Sequence, residues 1–377
     1  MIAKQYFSYA ILLVLAGFLL MPSSKSVNNI FYMLLAVPAV FFYLVNIKNY
    51  KSWSHVDLCF AAFIGYCFTI GILHDFSFAK YCLYLTLFMF IVSRLIDVDF
   101  FENPKVIRTA FWALISYVIL SAVFHAANGI YELGDRIVEL PSRLQGPIFT
   151  SMLIVSVLVL VTPVWVRGKN YTEAILGATL VLVCVGFILQ SRTGLVGVGL
   201  WAICVCIWLT YKYRLAGLAF AIIMMTFAFV LAGGLLVESD KLLNLVARAD
   251  AGRFEIWAYF LSSWRDCGVF SGCGLGFEMS DRVNGQQILH PHNIFLTLGV
   301  HLGILPLILF VLMMTATLYL AVAQKNWWGA YLAMALVLSN FDGHLVVNSL
   351  NELWLLIWLP MGLILNKHLD HAPKREQ

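Results

Sequence analysis

The chain has 377 residues, of which 62% are hydrophobic and only 12% are charged, and its formal net charge is +4. A soluble globular domain has about 45–50% apolar and about 25% charged residues. A water-soluble fold of this size could not bury so much apolar surface, so the composition excludes a soluble globular enzyme. The sequence also has no run of basic residues of the kind that binds nucleic acid. Lipid must therefore be the solvent for much of the chain.

Twelve apolar windows follow one another, and each is about as long as a membrane-spanning helix. They cover residues 6–21, 29–46, 56–73, 80–96, 109–126, 146–166, 173–190, 194–211, 215–236, 294–322, 327–346 and 352–366. The first window lacks a small-x-small cleavage site and more windows follow at once, so we interpret it as an uncleaved helix. The long tenth window contains Gly303 and Pro306, and we expect its helix to tilt, to kink or to extend beyond the bilayer.

Lysine and arginine residues indicate the orientation of these helices, because cytoplasmic loops carry more of them than external loops do. With a cytoplasmic N-terminus, the inward segments carry 14 of these residues and the short outward loops carry five. The five are Lys25, Lys80, Arg136, Arg143 and Arg192. We therefore predict an all-α integral membrane protein of about 12 transmembrane helices, forming a single polytopic domain over residues 1–377, with both termini in the cytoplasm.

The longest segment outside the predicted helices is residues 237–293, between the ninth and tenth windows, on the outer side. Four apolar residues in it recur at the spacing of one helix face, namely Trp257, Phe260, Leu261 and Trp264. This spacing predicts an amphipathic helix that lies along the membrane surface. A second, shorter outward loop is predicted at 127–145.

A glycine-rich stretch, Gly272-Cys273-Gly274-Leu275-Gly276-Phe277, lies in the same segment. Neither a following Lys-Ser/Thr nor a βαβ unit accompanies it, so it is not a nucleotide-binding loop. It predicts a flexible loop or a close approach of two backbones. Cys267 and Cys273 are either free or joined by a disulfide, which an oxidising compartment would allow.

Two arginines are candidates for binding an anion. Arg192 lies in Ser-Arg-Thr-Gly at the outer end of the seventh window, and it is either a snorkelling side chain or a ligand. Arg253 lies in Gly-Arg-Phe-Glu-Ile-Trp, and it is either an exposed charge at the start of the amphipathic helix or a ligand.

Histidines and acidic residues also collect at outward ends of the predicted helices. His290 and His292 precede the tenth window, but no third ligand stands at a recognisable spacing, so a zinc site is not indicated. His292 is therefore a structural histidine or a general base. Asp342, His344 and Glu352 lie at the outer ends of the last two windows and are either functional or structural pairs.

The two arginines and His292 together suit a phosphate-bearing lipid substrate with a hydroxyl to activate. Their motifs also resemble a family. Ser-Arg-Thr-Gly at 191–194, Gly-Arg-x-x-x-Trp at 252–257, Gly-x-Gly at 274–276 and His-Asn at 292–293 followed by Gly303 resemble the O-antigen ligase and polymerase superfamily in order and spacing. The chain departs from the ligase pattern where Val196 replaces a leucine and where Pro306 replaces a small or polar residue. These departures leave the choice between ligase and polymerase open.

The resemblance implies a GT-C-type glycosyltransferase of lipopolysaccharide biosynthesis in the bacterial inner membrane, with a periplasmic active site. It would transfer a glycan from undecaprenyl diphosphate to a hydroxyl of the lipid A-core oligosaccharide, with inversion and without a metal or other cofactor. His292 would take or orient the acceptor proton, while Arg192 and Arg253 would hold the diphosphate. Other residues that would contact substrate or orient the histidine loop are Asn293, Arg265, Arg282 and His290.

Within the superfamily, the chain length and the absence of a large extra soluble segment favour a ligase. The alternatives are an O-antigen or other surface-polysaccharide polymerase, and a protein-glycosylating ligase. A transporter of lipid-linked sugars is an alternative of another class. Transporters place ionisable residues near the midplane between pseudo-symmetric halves, whereas here the ionisable residues concentrate at the outer surface and no repeat is visible. This distribution favours an enzyme.

Overall fold

The computed structural model describes residues 2–46, 53–131, 135–214, 252–279, 282–283 and 286–371. The predicted ninth window and the first part of the long outward segment, together 215–251, lie outside these residues. The chain divides into two compact units, one formed by Met1–Asn103 with Arg253–Gln377 and the other by Pro104–Gly252. A single domain over residues 1–377 stays a prediction.

Helices make up most of the described residues. In the first half they are α1 (Ile2–Leu20), α2 (Ser24–Phe31), α3 (Val37–Asn46), α4 (His55–His74), α5 (Phe76–Phe90), α6 (Val98–Glu102), α7 (Pro104–Ala127), α8 (Pro147–Arg167), α9 (Tyr171–Leu182) and α10 (Arg192–Tyr213). In the second half they are α11 (Arg253–Cys267), α12 (Ile294–Leu302), α13 (Ile304–Ala323), α14 (Trp328–Leu338) and α15 (Leu359–His371). Short π-helical turns lie at Tyr32–Ala36, Ile91–Leu95, Val183–Ile188 and Trp354–Trp358. Two two-residue strands, β1 (Arg282–Val283) and β2 (Gln286–Gln287), pair in antiparallel fashion, with Arg282 opposite Gln287.

Nine helices within the described residues are long and apolar enough to cross a bilayer. They are Ala3–Leu20, Ser24–Val45, His55–His74, Phe76–Leu95, Pro104–Ala127, Pro147–Arg167, Tyr171–Ile188, Arg192–Tyr213 and Ile304–Ala323. Each of them overlaps one predicted window, so the prediction of a multi-pass helical membrane protein is confirmed. The last two windows form shorter apolar helices, Trp328–Leu338 and Trp354–Leu369. The total of about 12 spans stays a prediction.

The predicted helix at 327–346 is wrong in its extent, because α14 ends at Leu338. The side chain of Ser339 donates a hydrogen bond to the carbonyl of Ala335, and that of Asn340 donates to Leu336. Polar side chains of this kind compete with the backbone for hydrogen bonds and favour helix ends. The irregular segment that follows carries Asp342.

The expected interruption of the tenth window is a break at Gly303, between α12 and α13, where φ is +88°. The backbone of the glycine-rich loop packs into this break. Cys273 N donates to Val300 O at 2.6 Å, and Ile304 N donates to Val269 O at 2.9 Å. A Cβ on Gly303 would collide with the carbonyl of Phe270. The predicted close approach of two backbones is thus confirmed, and a Cys267–Cys273 disulfide closes the loop.

The predicted amphipathic helix is α11, and its apolar face packs on protein. Ile256 and Phe260 are buried in a cluster with Val300 of α12, with Met279 and Ile288 beside them. Trp264 covers Gly299 of α12 so closely that a Cβ there would collide with the indole. Leu261, which the spacing assigned to the same face, is instead 50% exposed. α11 therefore supports α12 and the segment between the two helices.

In the second unit, α8 is the central helix, and nearly all of its side chains are buried against α7, α9 and α10. Pro147 occupies its first turn, where the missing N–H costs nothing. Gly194 of α10 lies against Ser151 of α8, and a Cβ on this glycine would approach the Ser151 Cβ to 2.7 Å. This close packing fixes the start of α10.

Candidate active site

The turn at His290–Asn293 is held by hydrogen bonds on three sides. Asn293 caps α12, since its Oδ1 accepts from the backbone nitrogens of Phe295 at 3.0 Å and Leu296 at 3.1 Å. The indole of Trp257 on α11 donates to Pro291 O at 2.9 Å. His290 Nδ1 accepts from the backbone nitrogen of His292 at 3.3 Å. These contacts stabilise an unusual backbone conformation at His292.

His292 has φ of +54°, in the left-handed region that residues other than glycine rarely adopt. This conformation costs roughly 1–2 kcal/mol per residue. Such strain persists only where the surrounding structure determines the conformation, and it concentrates at functional sites. The strained residue is the histidine that the sequence singled out as a candidate base.

His292 forms a hydrogen-bonded pair with Asp342, with Nδ1 and Oδ1 2.8 Å apart. The Asp342 side chain is 10% exposed and that of His292 is 37% exposed, so the carboxylate is inside and the ring reaches solvent. A carboxylate accepts, so Nδ1 is the nitrogen that carries the hydrogen in the neutral ring. Nε2 then has a free lone pair, which is the form a general base requires.

Arg253 is the first residue of α11 and is near enough to Asp342 for the charge of that carboxylate to affect its pKa. Its guanidinium carbon is 6.0 Å from the centre of the Phe341 ring. Burial lowers the pKa of Arg253, and the negative charge of Asp342 opposes that shift. A cation at a helix N-terminus faces the positive end of the helix dipole, which is unfavourable by about 0.3–1 kcal/mol. The position therefore favours an anionic ligand over a purely structural role.

His290 lies between two other histidines, with ring centres 4.5 Å from His292 and 6.2 Å from His344. Burial lowers the pKa of His290 to about 4, with a further contribution from the neighbouring His292. His290 is thus neutral at neutral pH, which allows its Nδ1 to accept the backbone hydrogen bond from His292.

Arg192 belongs to the second unit and is the first residue of α10. The motif around it has a structural basis. Ser191 caps the helix, since its Oγ accepts from Gly194 N at 3.2 Å, and it shares a hydrogen bond of 2.6 Å with Ser151 Oγ. Arg192 is half-buried. Both candidate arginines therefore occupy the first position of a helix, where a cation is least favourable.

The remaining predicted residues differ in where they lie. Asn293 uses its side-chain oxygen to cap α12, so its geometry suits positioning of the turn. Arg265 is exposed near the C-terminal end of α11, about 18 Å along the helix axis from Arg253 at 1.5 Å per residue. The structure does not bring it to His292. Arg282 lies on β1, and its side chain is outside the described ones.

Asp342 has no role that the sequence predicts. Its only signal was an ionisable residue at the outer end of an apolar window, and nothing local to the sequence paired it with a histidine 50 residues earlier. Among the described residues, no group of three or more His, Cys, Asp or Glu side chains is arranged to hold a metal ion.

Comparisons with known proteins agree with these motifs. Residues 177–311 match a family model described as O-antigen ligase. This segment includes Arg192, Arg253 and His292 but ends before Asp342. An O-antigen ligase of Pseudomonas aeruginosa is 25% identical over 384 aligned positions, which cover 94% of this chain and 88% of that protein. The resemblance inferred from the motifs is confirmed, since the chain is similar to the O-antigen ligase family over residues 177–311 and to one such ligase over most of its length.

Proposed function

We propose that this membrane protein is an O-antigen ligase. It transfers a glycan from undecaprenyl diphosphate to a hydroxyl of the lipid A-core oligosaccharide at the periplasmic face of the inner membrane. The observation that carries the proposal is the His292–Asp342 pair, 2.8 Å apart, with Arg253 near enough for the charge of Asp342 to affect its pKa. The similarity to an O-antigen ligase of Pseudomonas aeruginosa supports the assignment of the chain to this class of enzyme.

In this reaction His292 is the general base. Asp342 accepts a hydrogen bond from Nδ1, holds the ring in one tautomer and stabilises the imidazolium that forms. Nε2 takes the proton from the acceptor hydroxyl as its oxygen attacks the anomeric carbon. A bond forms between that oxygen and the sugar, the bond from the sugar to the diphosphate breaks, and undecaprenyl diphosphate leaves. Attack on the face opposite the leaving group inverts the anomeric configuration. General-base catalysis of this kind contributes about 10²–10⁴-fold in rate.

Arg253 and Arg192 bind the diphosphate and stabilise the charge that develops on it. A guanidinium presents a fork of N–H donors that matches two phosphate oxygens at once. Each arginine starts a helix, whose positive dipole end also favours an anion. The two guanidinium groups supply the positive charge that a divalent metal supplies in other transferases, so the reaction should not depend on one. A chelator should accordingly leave the rate unchanged.

The first experiment compares lipopolysaccharide and the undecaprenyl-linked glycan pool in cells with and without this protein. A ligase predicts core without O-antigen in the deleted strain, with long glycans accumulating on the lipid carrier. Core capped by a single repeat would instead indicate a polymerase. An unchanged distribution of O-antigen chain lengths on lipopolysaccharide would contradict both a ligase and a polymerase. Complementation with His292→Ala should fail at equal membrane levels. The control is Arg167→Ala, an exposed arginine in the last turn of α8.

A further inference from the structure

The loop closed by the Cys267–Cys273 disulfide has an apolar tip. Phe270 is 82% exposed and Val269 is 42% exposed, although neither belongs to an apolar window of the sequence. A phenylalanine this exposed in an aqueous loop would be unfavourable, and exposed apolar groups outside a core often mark contact with a membrane or another protein. The disulfide shortens the loop, so the two residues have little freedom to fold inward.

The height of this tip is set by hydrogen bonds to a membrane-spanning helix. Val269 O accepts from the backbone nitrogen of Ile304, the first residue of α13, at 2.9 Å. On the other side of the tip, Cys273 N donates to Val300 O at 2.6 Å. Between them, the Phe270 carbonyl lies against Gly303, where no Cβ would fit. The tip therefore stays at the level at which α13 begins.

The length of α13 places its first residue at a boundary of the bilayer. The helix has 20 residues, and at 1.5 Å per residue it extends about 30 Å, which is the thickness of the hydrocarbon layer. The exposed Lys325 lies two residues beyond its other end, where a charged side chain reaches the opposite interface. With that end fixed, Ile304 stands where acyl chains meet headgroups.

We propose that Val269 and Phe270 insert into the upper acyl-chain region of the leaflet next to His292, so that the disulfide-closed loop anchors α11 in the membrane interface. The partner is the lipid surface itself, because the tip is apolar and lies at the end of a span. Aromatic side chains are enriched at this depth of the bilayer. The other end of α11 carries Arg253, and Trp257 binds the turn before His292. The anchor thereby sets the height of these groups above the hydrocarbon.

The test measures the depth of residue 270 directly. Phe270→Trp is reconstituted in vesicles of phosphatidylcholine brominated near the carbonyl end of the acyl chains, and its fluorescence is compared with that of the wild type. The additional emission should be largely quenched by the brominated lipid and only weakly by aqueous acrylamide. The positive control is Phe76→Trp, because Phe76 is 80% exposed and begins the predicted span Phe76–Leu95.

Strong quenching by acrylamide with little effect of brominated lipid would overturn the anchor and place residue 270 in water. Protection from both quenchers that disappears when the protein is diluted in lipid would also overturn it, because a second copy would then cover the tip. If Phe270→Trp does not fold, Val269→Trp provides the same readout. The fluorescence does not depend on glycan transfer, so the anchor and the proposed activity can fail separately.

Discussion

Replacing Asp342 with asparagine tests the proposed base most directly, because asparagine keeps the shape of the side chain and removes its charge. The carboxylate accepts from His292 Nδ1 at 2.8 Å and is only 10% exposed, so little water can replace it. A hydrogen bond to a charged group contributes about 1.5–3 kcal/mol. Since about 1.4 kcal/mol is a tenfold change in rate, kcat should fall by about 10- to 150-fold. The ring of His292 is 37% exposed and partly solvated, which favours the lower end of this range.

The assay uses purified protein with a labelled lipid-linked glycan donor and a core acceptor. Donor affinity is measured separately, with acceptor left out. We expect Asp342→Asn to lower kcat far more than it weakens donor binding, because the lost interaction matters most when His292 becomes charged. Asp266→Asn, an exposed acidic residue near the end of α11, is the matched control and should retain activity. A kcat for Asp342→Asn close to that of the wild type would refute the role of the pair.

Three further predictions concern the arginine, the neutral histidine and the helix break. Arg253→Ala should weaken donor binding by about 10- to 150-fold, because at least one hydrogen bond to a charged group is lost. Arg253→Lys should restore donor binding only in part, and complete rescue would argue against a bidentate contact. The pKa of His290 is lowered to about 4 in the fold, so the unfolded chain binds more protons between about pH 6.5 and 4. Stability to chemical unfolding should therefore fall over that window as the pH drops, by about 3 kcal/mol at most, and His290→Asn, which cannot be protonated, should flatten the dependence. Gly303→Ala should lower the free energy of unfolding by more than about 2 kcal/mol, because φ there is +88° and the Phe270 carbonyl fills the space of the Cβ; an unchanged melting temperature would contradict this.

Three of the candidate residues have positions or conformations that lower the stability of the fold. Arg192 and Arg253 each occupy the first position of a helix, which disfavours a cation by about 0.3–1 kcal/mol. His292 adds a left-handed backbone at roughly 1–2 kcal/mol. The proposed function predicts that an anionic donor bound at an arginine would offset its unfavourable position at the helix start.

The sequence alone determined the class of protein and predicted where its candidate functional residues lie along the chain. Apolar windows predicted the nine long helices of the described residues. A transmembrane helix forms its backbone hydrogen bonds within itself and is solvated by lipid, so its formation depends little on distant segments. Gly303 predicted the break between α12 and α13 for the same local reason. The amphipathic spacing predicted α11, although Leu261 on the same stripe is half exposed.

Only the tertiary structure decided which residues act together. The pairing of His292 with Asp342 joins positions 50 residues apart, and it requires α14 to end at Leu338 so that an irregular segment can turn toward the histidine. The disulfide likewise required Cys267 and Cys273 to meet around the helix break. Sequence periodicity reports on neighbours within one helix, whereas such contacts depend on how separate helices pack. The sequence therefore predicts a membrane protein with a candidate histidine and two candidate arginines, and only the fold places a carboxylate against that histidine.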